Sequence, residues 1–179
     1  MKTSIIAIIF LFGFLPFSRA QHLSVSLYDG NGINILDVEK SEGYTLTDWN
    51  TYSNQIVIEG LLVKENGFTL GAELGAHRLY YWERREIYYG NYIWSTLWTY
   101  NLGGIIGYTT HNFAIKAGLD LRDYADGSGV AVGFLTAADY AIPLGDKFAI
   151  PVGIRADFIP ANAFTVSLNL TVGFRYRIK

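Results

Sequence analysis

The segment from residue 164 to 178 alternates without a break. Phe164, Val166, Leu168, Leu170, Val172, Phe174, Tyr176 and Ile178 share one parity; Thr165, Ser167, Asn169, Thr171, Gly173, Arg175 and Arg177 share the other. Successive side chains of a β-strand point to opposite faces, so a period of two predicts a strand with one apolar and one polar side. The same period dominates from residue 21 onward, and no helical stripe competes with it.

Turn residues cut the pattern into strand-sized pieces. Glu65-Asn66-Gly67 separates residues 55–64 from 68–81, His111-Asn112 separates 94–110 from 113–122, and Gly145-Asp146 separates 130–144 from 148–158. Asn and Gly tolerate the positive φ that tight hairpins need. Links at 36–54, 82–93 and 123–129 are longer, with a short one at 160–162, and a first strand at 22–35 brings the count to eight. Within that strand Asp29-Gly30-Asn31-Gly32 has the composition of a turn. A bulge or early loop is expected there, because residues 33–38 are too few to cross a membrane.

These elements predict an all-β, eight-stranded antiparallel barrel. Tight turns alternating with mostly longer links match transmembrane barrels, whose periplasmic turns are short and whose outer loops are long. An even count puts both termini at the short-turn end. Two barrels fit such a pattern: a soluble one with its apolar face inward around a ligand, and a membrane one with that face outward to lipid.

Aromatic placement favours the membrane form. Phe68, Tyr108, Phe113, Tyr140, Phe148 and Tyr176 fall near the short-turn ends, whereas Tyr80, Tyr81, Trp82, Tyr92, Trp94 and Phe158 fall near the other ends. Amphipathic rings prefer the headgroup interface, so two girdles are expected. The polar parity adds a second argument. Glu59, Glu73, Asp120, Asp139 and Asp157 share it with Lys116, Arg122, Arg155, Arg175 and Arg177, interleaved with Gly71, Gly75, Gly118, Gly133 and Gly153. Charges enclosed in a narrow lumen must pair, and glycines leave room for long side chains. An interior ion-pair network is therefore expected, with His77 as a further polar member.

Composition agrees: the chain is 50% hydrophobic and 16% aromatic. Residues 1–20 read as a cleaved signal peptide for Sec-type export, with Lys2, an apolar run from Ile5 to Leu15, and small Ser18 and Ala20 before the cut. That run is short for a transmembrane helix, which needs about 20 residues. The expected mature unit, 21–179, carries 12 basic and 16 acidic residues, since Lys2 and Arg19 leave with the signal. This is not the footprint of a nucleic-acid binder. With zero cysteines there is no disulfide framework.

The closing segment, Asn169-Leu-Thr-Val-Gly-Phe-Arg-Tyr-Arg-Ile-Lys179, together with the signal and the alternating strands, resembles the outer-membrane β-barrel domain family, the OmpA/OmpX-like group. The resemblance is one of pattern over 21–179, without a diagnostic motif. It implies location in the bacterial outer membrane, contact with its lipid and lipopolysaccharide, insertion by the barrel-assembly machinery, and usually no catalysis. Phe174, Tyr176 and Ile178 supply the alternation that machinery reads, although Lys179 stands where the family has an aromatic or apolar residue.

No constellation points firmly to chemistry. His77 and Glu73 share a face, but the candidate nucleophiles Ser95 and Ser128 lie on other elements. The His-x-Ser arrangement of lipid A deacylase barrels has one formal match, His22-Leu23-Ser24, at the short-turn end and so on the wrong side for outer-leaflet chemistry. There is no metal or nucleotide motif, and no cofactor is expected. Two aromatic-rich links are candidate binding loops: one with Tyr44, Trp49 and Tyr52, the other with Arg84, Arg85, Tyr88 and Tyr89, whose arginines suit lipopolysaccharide phosphates. The expected function is a non-enzymatic barrel with a plugged polar interior and a structural or surface-interaction role. A small or gated pore ranks second, and a lipid-modifying enzyme third.

Overall fold

The computed structural model describes residues 20–36, 51–84, 92–124, 129–160 and 164–178. Its eight strands are β1 (Ala20–Leu36), β2 (Thr51–Lys64), β3 (Phe68–Arg84), β4 (Tyr92–Thr110), β5 (Phe113–Tyr124), β6 (Gly129–Pro143), β7 (Phe148–Pro160) and β8 (Phe164–Ile178). Each pairs antiparallel with its sequence neighbours, and β1 pairs with β8 from Leu23↔Ile178 to Leu36↔Thr165, closing the barrel. No strand edge is left open, so the backbone groups of the wall are satisfied within it. The predicted signal segment lies outside the described residues except for Ala20, which opens β1.

The three tight turns form where Asn and Gly predicted them. Gly67 and Gly145 adopt φ of 84° and 95°, and in the middle turn His111, at φ 32°, takes the left-handed position. Asn66 Oδ1 accepts a hydrogen bond from the Phe68 amide at 3.1 Å, which fixes the first turn.

The expected bulge or loop at residues 29–32 is corrected. β1 runs straight through Asp29-Gly30-Asn31-Gly32, in unbroken register with β2 and β8, and its one irregularity lies between Ala20 and His22. These glycines serve close approach instead of a turn. A Cβ on Gly32 would collide with the Leu168 carbonyl of β8, and one on Gly30 would press on the Gln55 side chain.

The wall is inside-out compared with a water-soluble protein. In β5 burial alternates residue by residue: Ile115, Leu119 and Leu121 are exposed, while Lys116, Asp120 and Arg122 are buried. Leu170 is 71% exposed and Arg122 is 0% exposed. Large apolar side chains cover the outside of all eight strands. Among the described residues nine charged side chains are buried in the lumen, while Asp29, Arg78 and Asp123 face outward. Only a surrounding hydrocarbon phase makes this partition favourable, because burial in water drives apolar area inward.

Aromatics cluster by height on that outer wall. Phe148 stacks on Phe174 and Tyr176 near the short turns, at centroid distances of 5.3 and 5.1 Å. Towards the opposite end Tyr52 meets Tyr80 and Phe134 meets Phe158, each at 5.5 Å.

Candidate functional site

The lumen holds two ionic layers. In the one nearer the short turns, Lys116 Nζ lies 2.8 Å from both Glu59 Oε2 and Asp139 Oδ2. Arg175 reaches Asp139 Oδ1 at 2.9 Å and donates through Nε to Ser26 Oγ at 3.0 Å. Tyr28 ties these groups together. Its hydroxyl accepts from Arg175 Nη2 at 2.6 Å and donates to Glu59 Oε1 at 3.2 Å, and its ring lies 4.9 Å from Lys116 Nζ. Five strands contribute, so the layer bridges the lumen from wall to wall.

The second layer lies nearer the other end. Arg155 forks onto Glu73 with two 2.7 Å bonds and also binds Asp157 through Nε. Arg122 Nη2 contacts Asp157 at 2.6 Å and Asp120 at 2.8 Å. Asn101 donates to Glu73 Oε1 at 2.7 Å. Paired forks of this kind are the strongest hydrogen-bonding arrangement available to arginine. Gly133 makes space for it, since a Cβ there would overlap Asp120 Oδ1 and come within 2.8 Å of Arg122 Nε. Above the layer Leu79, Tyr124 and Ile159 form a buried apolar cluster.

His77 is buried with Arg122 Nη1 3.3 Å from its Nδ1 and Ser167 Oγ 3.3 Å from its Nε2. A guanidinium only donates, so Nδ1 accepts and the neutral ring carries its proton on Nε2. That nitrogen therefore donates to Ser167, the reverse of what a base activating a serine must do. Ser167 is itself fully buried and bonded to Ser53 and Asn169. Among the described residues no group of His, Cys, Asp and Glu is arranged to hold a metal ion.

The structure thus brings Glu59, Glu73, His77, Lys116, Asp120, Arg122, Asp139, Arg155, Asp157 and Arg175 into the lumen. Arg177 is the exception and a correction. It has the inward parity but sits exposed at the short-turn rim and joins no ion pair among the described residues, because the strand end leaves its long side chain free to reach solvent. The expected balance of five acids and five bases becomes, among the described residues, five buried acids and four buried bases.

Tyr52, expected in a binding loop, belongs instead to β2 and hydrogen-bonds through its hydroxyl to Asn31 on the outer wall. Tyr44, Trp49, Arg85, Tyr88, Tyr89 and Ser128 lie outside the described residues, and Arg84 ends β3. Tyr28, Asn101 and Ser167 were missed. Their parity marks them as inward, but a search confined to charges passes over neutral donors.

Neither a protein-family model nor a curated protein sequence matches the chain. Solved structures do. OprG from Pseudomonas aeruginosa superposes with a TM-score of 0.56 at 10% identity, over 89% of this chain and 97% of that one. Neisserial surface protein A gives 0.52 at 11% identity, over 87% and 97%. Ail, the attachment invasion locus protein of Yersinia pestis, in complex with the heparin analogue sucrose octasulfate, gives 0.51 at 10% identity, over 87% and 100%. The fold is that of the small outer-membrane β-barrels. Small outer-membrane barrels of this size enclose only enough space for side chains, and here ion pairs fill it.

Proposed function

We propose that this chain is a non-enzymatic protein of the bacterial outer membrane with a structural or surface-interaction role, its lumen closed by the two ionic layers. The signal segment 1–20 delivers it by Sec-type export, the barrel-assembly machinery inserts it, and Tyr44, Trp49, Arg84, Arg85, Tyr88 and Tyr89 serve surface recognition. The exposed apolar wall supports the membrane setting. The observation that carries the closed lumen is the set of ion pairs across it, from Lys116 and Arg175 on Glu59 and Asp139 to Arg155 and Arg122 on Glu73 and Asp157. The cavity bounded by Tyr28, Gln55, Glu59, Lys116, Asp139 and Arg155 holds about 20 Å³, room for a single water molecule.

Planar-bilayer recording tests the reading directly. A plugged barrel leaves the bilayer at its baseline conductance. Steady unitary currents from the purified protein would replace this reading with that of a small pore. Membrane fractionation, with faster gel migration of the unheated protein than of the boiled one, checks the location and the barrel independently.

A further inference from the structure

The charged groups of the lumen are paired, whereas one arginine on the outer wall is not. Arg78 faces outward on β3 between Ala76 and Tyr80, opposite Asn54 of β2 and Trp98 of β4. Its guanidinium carbon lies 4.5 Å from the Tyr80 ring centroid and 5.4 Å from that of Trp98. The Nε is buried without a hydrogen-bond partner, and no carboxylate pairs with the side chain among the described residues. The acids on this side of the wall are turned elsewhere: Asp29 accepts from Asn31 Nδ2 at 3.0 Å, and Asp123 stands exposed on β5 opposite Tyr100.

Height decides what meets this side chain. Arg78 is ten residues along β3 from Phe68, which is exposed beside the first tight turn. At about 3.3 Å per residue and a tilt of about 40°, that is roughly 25 Å along the barrel axis, the height of the apolar band of such barrels. Arg78 therefore lies at the far interface, level with lipid headgroups. An unpaired guanidinium costs free energy in the hydrocarbon but is at home against a phosphate, whose oxygens match its fork. Two aromatic faces hold the cation from the sides, and Asn54 offers a neighbouring amide.

We infer that Arg78, with Tyr80, Trp98 and Asn54, forms a binding site on the outer wall for the phosphate group of a membrane lipid. The site rests on the membrane reading above and goes beyond it, since that reading places lipid around the barrel without assigning a residue to any headgroup.

Native mass spectrometry of the folded protein released from detergent micelles tests it. Four probes are compared: phosphorylated lipid A, dephosphorylated lipid A, phosphatidylglycerol and inorganic phosphate. The expected result is retention of one phosphate-bearing lipid, about tenfold weaker in Arg78→Gln and intermediate in Arg78→Lys, which keeps the charge and loses the fork. Whether lipid A or phosphatidylglycerol is kept names the source of the phosphate. Equal retention of dephosphorylated lipid A, unchanged binding by Arg78→Gln, or occupancy by inorganic phosphate as strong as by lipid would each overturn the assignment. The dephosphorylated arm uses the unaltered protein and decides the matter even if a variant misfolds. A protein that stays in plain buffer without detergent would instead sink the membrane reading.

Discussion

The two ionic layers of the lumen face the same problem with different means. The layer nearer the short turns holds two acids, Glu59 and Asp139, and two bases, Lys116 and Arg175, knit through the Tyr28 hydroxyl. The other holds three acids, Glu73, Asp120 and Asp157, against Arg122 and Arg155, and fills the remaining demand with Asn101 and His77. The first is balanced by count and the second is not. What unites them is hydrogen bonding: every carboxylate in either layer accepts from a donor through at least one oxygen, and the two oxygens left over, Asp120 Oδ2 and Asp139 Oδ2, each lie 2.8 Å from a cation. Enclosed charge is tolerated here through directed donors at least as much as through neutrality.

That contrast can be broken at its strongest point first. Arg155→Ala removes the fork on Glu73 and a contact to Asp157 together, leaving buried carboxylates without their main donor. A loss of about 3–5 kcal/mol is expected, read as a lower urea midpoint of the folded protein in micelles. A variant as stable as the parent would mean that water or a counter-ion already does this work. Lys116→Met tests the balanced layer. Arg175 still holds Asp139 at 2.9 Å and Tyr28 still donates to Glu59, so the same titration should show a smaller loss, about 2–3 kcal/mol.

Asp120→Asn gives the smallest effect and reverses its sign. Among the described residues Asp120 touches Arg122 alone of the cations: its Oδ1 accepts from Nε at 3.1 Å, and its Oδ2, 2.8 Å from Nη2, lacks hydrogen-bonding geometry. Replacing it with the isosteric amide lifts the surplus negative charge, so the urea midpoint should stay level or rise slightly. A clear drop would show that the second layer needs its third acid.

The barrel was legible in the sequence because its side-chain period is two throughout. Strict alternation in residues 164–178 fixes a strand, and three Asn- or Gly-bearing turns fix the hairpins. The interior charges followed from parity alone. Arg177 shows where parity stops: it assigns a face but not a depth, and at a strand end the inward face opens to solvent. Asp29–Gly32 shows the matching failure for local composition. Glycines that read as a turn serve close contact between strands, a distinction that depends on Leu168, far away in the chain. Arg78 was hidden for the same reason, since its lack of a partner can be seen only once Asn54 and Trp98 stand beside it.

The seam between β1 and β8 has a kinetic consequence. It joins Leu23 to Ile178 and so spans almost the whole polypeptide. Any shorter piece has two raw borders and cannot become a cylinder, which makes ring closure a late, all-or-nothing event governed by the most distant contacts. Until it happens, the greasy outer surface stands open to water and to other unfinished chains.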